Sequence, residues 1–399
     1  MTDPLDALDL PDGHRLAVVN AGAGLAATPM VHHDGWRRAR PGDGAAQALL
    51  DLFAAHQGSR RIGRFTVRSW TPRSAKGERP MGVDQTNESV IVGDTAVVKW
   101  ATHLQEGPHP APRRITVLRE AGFTGMPTPW GLITWRPPGG EETVVAYADE
   151  YLPGAVDGWT WAVDAVTSAA GARDPDAVTP TATALGTLIA DLHAALASTA
   201  STATDADAHR WHRAALDTLE RACATGDSVC GATLRARRAV VAQEFGILRT
   251  LAGATVLDGH GDLHVGQVLR SGDRFTVTDF DGNPVLTAPE RVMPIPAVVD
   301  VAGMAQSLSH VAIVARRHTE LDPVAVRAVE DTARRAFLHA YVGRLRVLGH
   351  AGLYDPHPLR ALRLIQVLRE MIYAAAHLPR WMYVPDAALP ALLDDEETP

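Results

Sequence analysis

His260-Gly261-Asp262-Leu263-His264-Val265-Gly266-Gln267-Val268-Leu269, followed by Thr278-Asp279-Phe280-Asp281-Gly282-Asn283-Pro284, is the stretch on which the reading of this chain turns. Between its halves, after the Gly272-Asp273 turn, Phe275–Thr278 alternates as a strand. Two polar loops joined by a hairpin therefore present an Asp, an amide and a second Asp at one mouth. That set suits phosphoryl transfer: one carboxylate orients an acceptor hydroxyl and takes its proton, while a second carboxylate and an amide oxygen hold Mg²⁺ against nucleotide phosphates. The chain has neither a Gly-Lys-Ser/Thr phosphate loop nor a G-x-S-x-G serine elbow. His260 and His264 stand four apart, a zinc spacing on a helix, but Gly261 and Gly266 disfavour a helix and the Glu of H-E-x-x-H is missing. A chemically idle polar turn explains either loop alone, but poorly explains both in this order.

Composition narrows the field. The 399 residues are 46% hydrophobic, include nine Trp and carry a formal net charge of −8. This argues for a folded chain and against bulk binding to nucleic acid or anionic membrane. Of the 38 basic residues only Lys76 and Lys99 are lysines. Lys76 lies in a Pro/Gly-rich loop; Lys99 ends an apolar strand, where a compact ammonium does what a planar guanidinium does not. Cys223 and Cys230 form no C-x-x-C pattern, and their spacing of seven predicts one helix face with inert, buried thiols. The N-terminus lacks a basic, then apolar, leader, and no uninterrupted apolar run approaches the ~20 residues of a membrane span. A cytoplasmic, soluble monomer is expected.

Read for organisation, the first 80 or so residues mix short β runs (Leu16–Val19, Arg64–Trp70) with an amphipathic helix at Ala45–His56. Ser89–Val92, the turn Gly93-Asp94 and Ala96–Trp100 read as a hairpin. A helix at Arg113–Ala121 and strands at Trp130–Trp135 and Thr143–Ala148 follow. After Pro153 helical periodicity dominates, with Ser198–Ala208 read as a mobile linker. The expected division is a cap over 1–82, a nucleotide-binding lobe with hinge over 83–153, and a helical lobe over 154–399.

The two loops resemble the catalytic and metal-binding loops of the aminoglycoside-phosphotransferase-like kinases, most closely the actinobacterial maltokinase group and its glucosamine kinase relatives. Further pieces fall in the same order: Asp84-Gln-Thr-Asn-Glu-Ser-Val, Ala96-Val-Val-Lys99, Asp149-Glu-Tyr-Leu-Pro153, Asp157-Gly-Trp-Thr-Trp161, Leu185-Gly through Asp191-Leu-His193, and Leu378-Pro-Arg-Trp381. The resemblance implies an α+β, bilobal, protein-kinase-like fold with a β-rich first lobe and a mainly helical second. It implies ATP as co-substrate, Asp262 as catalytic base, and Gln267, Asp279 and Asp281 as Mg²⁺ ligands. Lys99, Glu150, Leu152 and Asp157 would bind nucleotide. Kinases pair the lysine with a Glu on the next helix, but the expected position here falls near Arg114, leaving either a weakly preorganised Lys99 or a carboxylate from elsewhere. His264 is read as placing the acceptor or as structural, and His193 as packed inside its lobe.

For the acceptor, Asp262, His264, Asp300, Glu370, Tyr373 and Trp381 are the candidates. Val298-Val-Asp300-Val-Ala-Gly303 matches a maltokinase segment, with Val299 where that group has Arg. In the terminal helix Glu370 and Tyr373 persist, while Arg369 and Ala374 replace a Tyr and a Glu. Glucosamine is an ammonium and needs a carboxylate, for which Asp300 and Glu370 are the candidates; Trp381 would stack on the sugar's apolar face. Phosphorylation of glucosamine at O6 is the favoured reading. Maltokinase activity giving maltose 1-phosphate, an aminoglycoside phosphotransferase and a non-catalytic pseudokinase are the alternatives.

Overall fold

Alternating apolar runs and tight turns dictate the first half of the molecule, and long 3.6-residue periodicity the second. The structure is a computed structural model and describes every residue except 1, 2, 23, 82–86, 227 and 395–399. The Asp84–Thr86 part of the expected phosphate-covering turn thus lies outside the described residues. The chain divides into two units: Met1–Arg119, Met126–Ala155 and Phe280–Met293 in the first, and Glu120–Gly125, Val156–Asp279 and Pro294–Pro399 in the second.

In the first unit, β1 (Asp6–Leu10), β2 (His14–Asn20), β3 (Leu25–His32) and β4 (Trp36–Arg38) form an antiparallel meander. Helix α1 (Ala45–Ala55) follows, then β5 (Gly58–Ile62), β6 (Phe65–Ser69), β7 (Glu78–Pro80), β8 (Asn87–Val92), β9 (Ala96–Ala101), α2 (Ala111–Glu120), β10 (Pro129–Trp135) and β11 (Thr143–Glu150). These seven strands make one sheet in the order β5-β6-β10-β11-β9-β8-β7. The cap expected over 1–82 is therefore not separate: β5 and β6 are strands of the same sheet that carries Lys99. The β8–β9 turn closes through Gly93 and Asp94, both at positive φ, with the Thr95 N–H donating to Val92 O.

Amphipathic α1 joins both sheets into one core. Leu49, Leu50 and Phe53 are fully buried among Leu8, Leu16, Val67, Trp100 and Ile133. A Cβ at Gly131 would lie 2.6 Å from the Phe53 ring, so β10 is glycine where the ring lies on it. Gly44, at the start of α1, has no side chain to cap the helix. Glu78 of β7 does so instead, accepting the N–H groups of Gly42, Gly44, Ala46 and Gln47.

The second unit contains α3 (Gly158–Ala172), α4 (Thr179–Ala195), β12 (Ser201–Thr202), α5 (Asp205–Cys223), α6 (Val229–Glu244), β13 (Thr255–Val256), β14 (Val268–Ser271) and β15 (Arg274–Val277). The segment Phe280–Met293, with its single turn α7 (Ala288–Arg291), belongs to the first unit. Then come α8 (Ala297–His318), α9 (Pro323–Val347), α10 (Leu359–His377) and α11 (Tyr383–Asp394). Helix α8 is long and apolar enough by length and composition to cross a membrane, although Asp300 interrupts its apolar run, and 89% of its most apolar 18-residue window is buried inside the protein. Residues 198–208 are not a linker: β12 pairs with β13, and Thr204 caps α5 through a reciprocal capping box with Asp207. Cys223 and Cys230 do not share a helix, because α5 ends at Cys223 and α6 starts at Val229. Cys230 is buried but Cys223 only partly so, and desolvation raises both thiols above their ordinary value, which disfavours the thiolate.

Phe53→Ala should lower the stability of the folded protein by about 3–5 kcal/mol, because a fully buried ring leaves a cavity between the sheets. The urea midpoint falls accordingly; an unchanged midpoint would show that α1 is not the joint of this core.

Candidate active site

Three residues of α8, spaced three and four apart, face the loop His260–Gln267, and each does a different task. Asp300 is 1% exposed; its Oδ2 accepts the His260 N–H at 2.7 Å and its Oδ1 the Gly261 N–H at 2.8 Å. Gly303, one turn on, lets the backbone in: a Cβ there would lie 2.3 Å from Leu263 O. Ser307, another turn on, accepts the Val265 N–H at 2.9 Å. The spacing of three and four puts all three on one helix face. From the other side Gly158 opens α3, where a Cβ would fall 1.7 Å from Val265 O. His193 of α4, fully buried, bridges Asp300 (3.2 Å) and the Tyr341 hydroxyl of α9 (2.7 Å). Burial pushes the Asp300 carboxyl up, but the bonds from His193 and the loop N–H groups hold it below its ordinary value.

Held in this way, the loop presents Asp262. Its carboxyl is pushed up to about 7, first by burial and then by the like charges of Asp279, Asp300 and Glu370; Arg369 pulls the other way. The Gln267 amide nitrogen donates to Asp279 Oδ2 at 3.0 Å. Asp279 itself sits at φ +65°, a left-handed backbone that costs energy for a non-glycine residue and is found at functional sites. Gln267 Oε1 and the Asp279 carboxylate are hard oxygen donors of the kind that would suit Mg²⁺. Among the described residues no group of three or more His, Cys, Asp or Glu is gathered to hold a metal. His264 Nδ1 accepts the Gly266 N–H at 3.0 Å, and burial drives its pKa down to about 4, so the ring is neutral.

The first unit holds the other charged cluster. Register places Lys99 of β9 opposite Tyr147 of β11 and Ala148 opposite Val98, so Asp149, two residues beyond Tyr147, shares the Lys99 face. Lys99 Nζ stands 5.0 Å from the Tyr147 ring centre. Burial raises the Asp149 carboxyl to about 6, and the Lys99 charge opposes that rise. The carboxylate beside Lys99 thus comes from β11. Arg114, at the position expected to be acidic, is 3% exposed and donates to Phe280 O (3.0 Å) and Arg291 O (3.1 Å), tying Phe280–Met293 to α2. Asp281 lies 3.9 Å from His109, whose pKa burial, Arg291 and Arg114 hold down at about 3. Glu150 accepts the N–H and hydroxyl of Thr128, and Leu152 closes a turn with Ala155.

The remaining sequence candidates have these surroundings. Asp300 does not face an open pocket; both its oxygens are spent on the loop. Asp157 caps α3, its carboxylate accepting the Thr160 N–H at 3.1 Å. Tyr373 is 47% exposed, against His377. Glu370 accepts from Trp381 Nε1 at 3.0 Å, and Trp381 meets Trp159 edge-on at 5.8 Å. Trp159 also lies beside His264, ring centres 6.2 Å apart. Sequence reading missed Trp159, Arg369, Ser307, Tyr147 and Asp149 as parts of these clusters. Trp159 lay inside a quoted motif; Asp149 needed the strand register.

No protein-family model matches the chain. It is 61% identical to glucosamine kinase of Mycolicibacterium smegmatis over 394 residues, 98% of each chain. It is 44% identical to glucosamine kinase of Streptacidiphilus jiangxiensis, covering 98% of this chain and 91% of that one. A solved glucosamine kinase in complex with glucosamine, ADP and inorganic phosphate superposes with a TM-score of 0.86 at 42% identity, over 97% of this chain and 93% of that one.

The electrostatics around Asp262 make a signed prediction. A carboxyl NMR titration of Asp262 should give a midpoint near 7, well above the usual carboxylate range. Glu370→Gln removes a like charge and should lower it, while Arg369→Met removes an opposite charge and should raise it. Shifts of the same sign in both variants would refute this assignment of charges.

Proposed function

The chain belongs to the glucosamine kinase family, and on that premise we propose that it transfers the γ-phosphoryl group of ATP to D-glucosamine, at the primary O6 hydroxyl. The observation that carries the reading is Asp262: a carboxyl raised to about 7 on a loop pinned by α8, with Arg369 and Glu370 around it. A base poised near neutrality takes a hydroxyl proton efficiently. The O6 oxygen forms its bond to the γ-phosphorus, the bond to the bridging oxygen of ADP breaks, and the hydroxyl proton passes to Asp262.

Mg²⁺ bound by Gln267 Oε1 and Asp279 would neutralise phosphate charge; Asp281 is assigned to the same ion by its place in the motif. Lys99 addresses the α/β-phosphates, oriented by Tyr147 and Asp149, and the Glu150–Leu152 strand end meets the nucleotide. Glu370, held by Trp381, supplies the negative charge that the sugar's ammonium requires. Arg369, where maltokinases carry Tyr, and the commitment of Asp300 to the loop speak against a maltose pocket.

Assayed by ATP consumption, glucosamine should be the preferred acceptor over glucose, maltose, N-acetylglucosamine and kanamycin, with phosphorus NMR locating the ester at O6. Preference for maltose would overturn the reading. Asp262→Asn should lower kcat by roughly 10²–10⁴-fold with nucleotide binding retained. Because the base must be ionised, kcat/KM of the unaltered protein should fall as pH drops below about 7. Asp149→Asn should raise the KM for ATP several-fold and leave that for glucosamine nearly unchanged; equal effects on both would remove Asp149 from its role beside Lys99.

A further inference from the structure

The segment Phe280–Met293 carries one carboxylate assigned to Mg²⁺, Asp281, and begins immediately after the other, Asp279. Asp279 sits at φ +65°, a backbone that persists in a non-glycine residue only where its surroundings enforce it. On its N-terminal side the Thr278 N–H donates to Gln267 O at 2.9 Å, and Thr278 O accepts from His260 Nε2 at 2.9 Å. On its C-terminal side the next carbonyl, Phe280 O, accepts from Arg114 Nη1 at 3.0 Å. The same buried guanidinium donates through Nη2 to Arg291 O at 3.1 Å, so one side chain of α2 clasps both ends of the stretch 280–291. Gly282, at φ +74°, makes room for it: a Cβ there would lie 3.0 Å from Arg114 Nη1. Within that stretch Arg291 lies in electrostatic reach of Asp281, and His109 stands 3.9 Å from the Asp281 carboxylate.

An arginine suits this task. Its planar fork meets two carbonyls at once, which a compact ammonium has no fixed geometry to do, and bonds from a charged donor are roughly twice as strong as neutral ones. Position 114 is where kinases carry the acid that meets the nucleotide lysine. With Asp149 of β11 beside Lys99, that duty is met from the sheet, and α2 is free for another. We infer that Arg114 is a positioning residue for the metal-binding carboxylates, holding the loop Asp279–Asp281 in its working shape. The inference rests on the assignment of Gln267, Asp279 and Asp281 to Mg²⁺. Arg114 acts through the Phe280 backbone, and outer partners of this kind govern metal affinity by roughly 10–100-fold.

Calorimetry of ADP binding to the full chain over a series of Mg²⁺ concentrations tests this without turnover. In the unaltered protein Mg²⁺ should strengthen ADP binding, and Asp279→Asn should abolish the gain. Arg114→Met should raise the half-maximal Mg²⁺ concentration by about tenfold, with Arg114→Lys in between, while metal-free ADP affinity and the KM for glucosamine stay within about twofold of the parent values. The Mg²⁺ requirement of kcat should move in parallel. A merely structural role would instead weaken metal-free ADP binding to the same degree. Should Arg114→Met fail to fold, Arg114→Lys carries the test, since it keeps the charge and most of the packing. No gain from Mg²⁺ in the unaltered protein, or a gain that survives Asp279→Asn, would overturn the metal assignment and this inference with it. An unchanged half-maximal Mg²⁺ concentration in the Arg114 variants that fold, or an equal loss of metal-free ADP affinity, would overturn the inference alone.

Discussion

One buried carboxylate, Asp300, sets the geometry on which the chemistry depends. A loop that must expose Asp262 has its own N–H groups to satisfy, and backbone donors buried without partners are expensive. Asp300 accepts two of them and is itself fixed by His193, which is fixed by Tyr341. The charge-assisted bonds from the two loop N–H groups are short, 2.7 and 2.8 Å. The glycines at 158 and 303 are the other half of the same constraint, because the loop backbone runs so close to α3 and α8 that any side chain there collides. Rigid support of this kind explains how a carboxyl can be kept in an acidic neighbourhood at all.

That neighbourhood has a purpose. Asp279, Asp300 and Glu370 raise the affinity of Asp262 for a proton, and Arg369 limits the rise. Charge is spread in the same way in the first unit, where burial lifts Asp149 and Lys99 opposes the lift. In both places a titratable group is poised by the competition between desolvation and one nearby charge of opposite sign.

Much of the fold was legible because its signals are local. The helix at Ala45–Ala55, the hairpin around Gly93-Asp94 and the strand Thr143–Glu150 follow from periodicity and turn residues. What misled was also local. The Ser198–Ala208 run is rich in small polar residues, as linkers are, yet those residues cap a helix and pair a short strand. The seven-residue spacing of the cysteines suited one helix, but Gly226 and Ser228 break it and start another.

The sequence by itself pointed to the residues that we propose carry the chemistry: Lys99, Asp262, Gln267 and Asp279 stand in the order a phosphotransferase needs, each a residue type suited to the charge it would meet. Tertiary structure alone decided which carboxylates are committed to holding the loop. Asp300 looks as available as Glu370 in the sequence, and becomes a loop anchor only because α8 runs beneath the His260–Gly261 backbone. Asp149 becomes the neighbour of Lys99 only because β11 lies beside β9 in one particular register. Such roles depend on contacts between distant residues, and a hydrogen bond formed across forty positions leaves no periodicity behind.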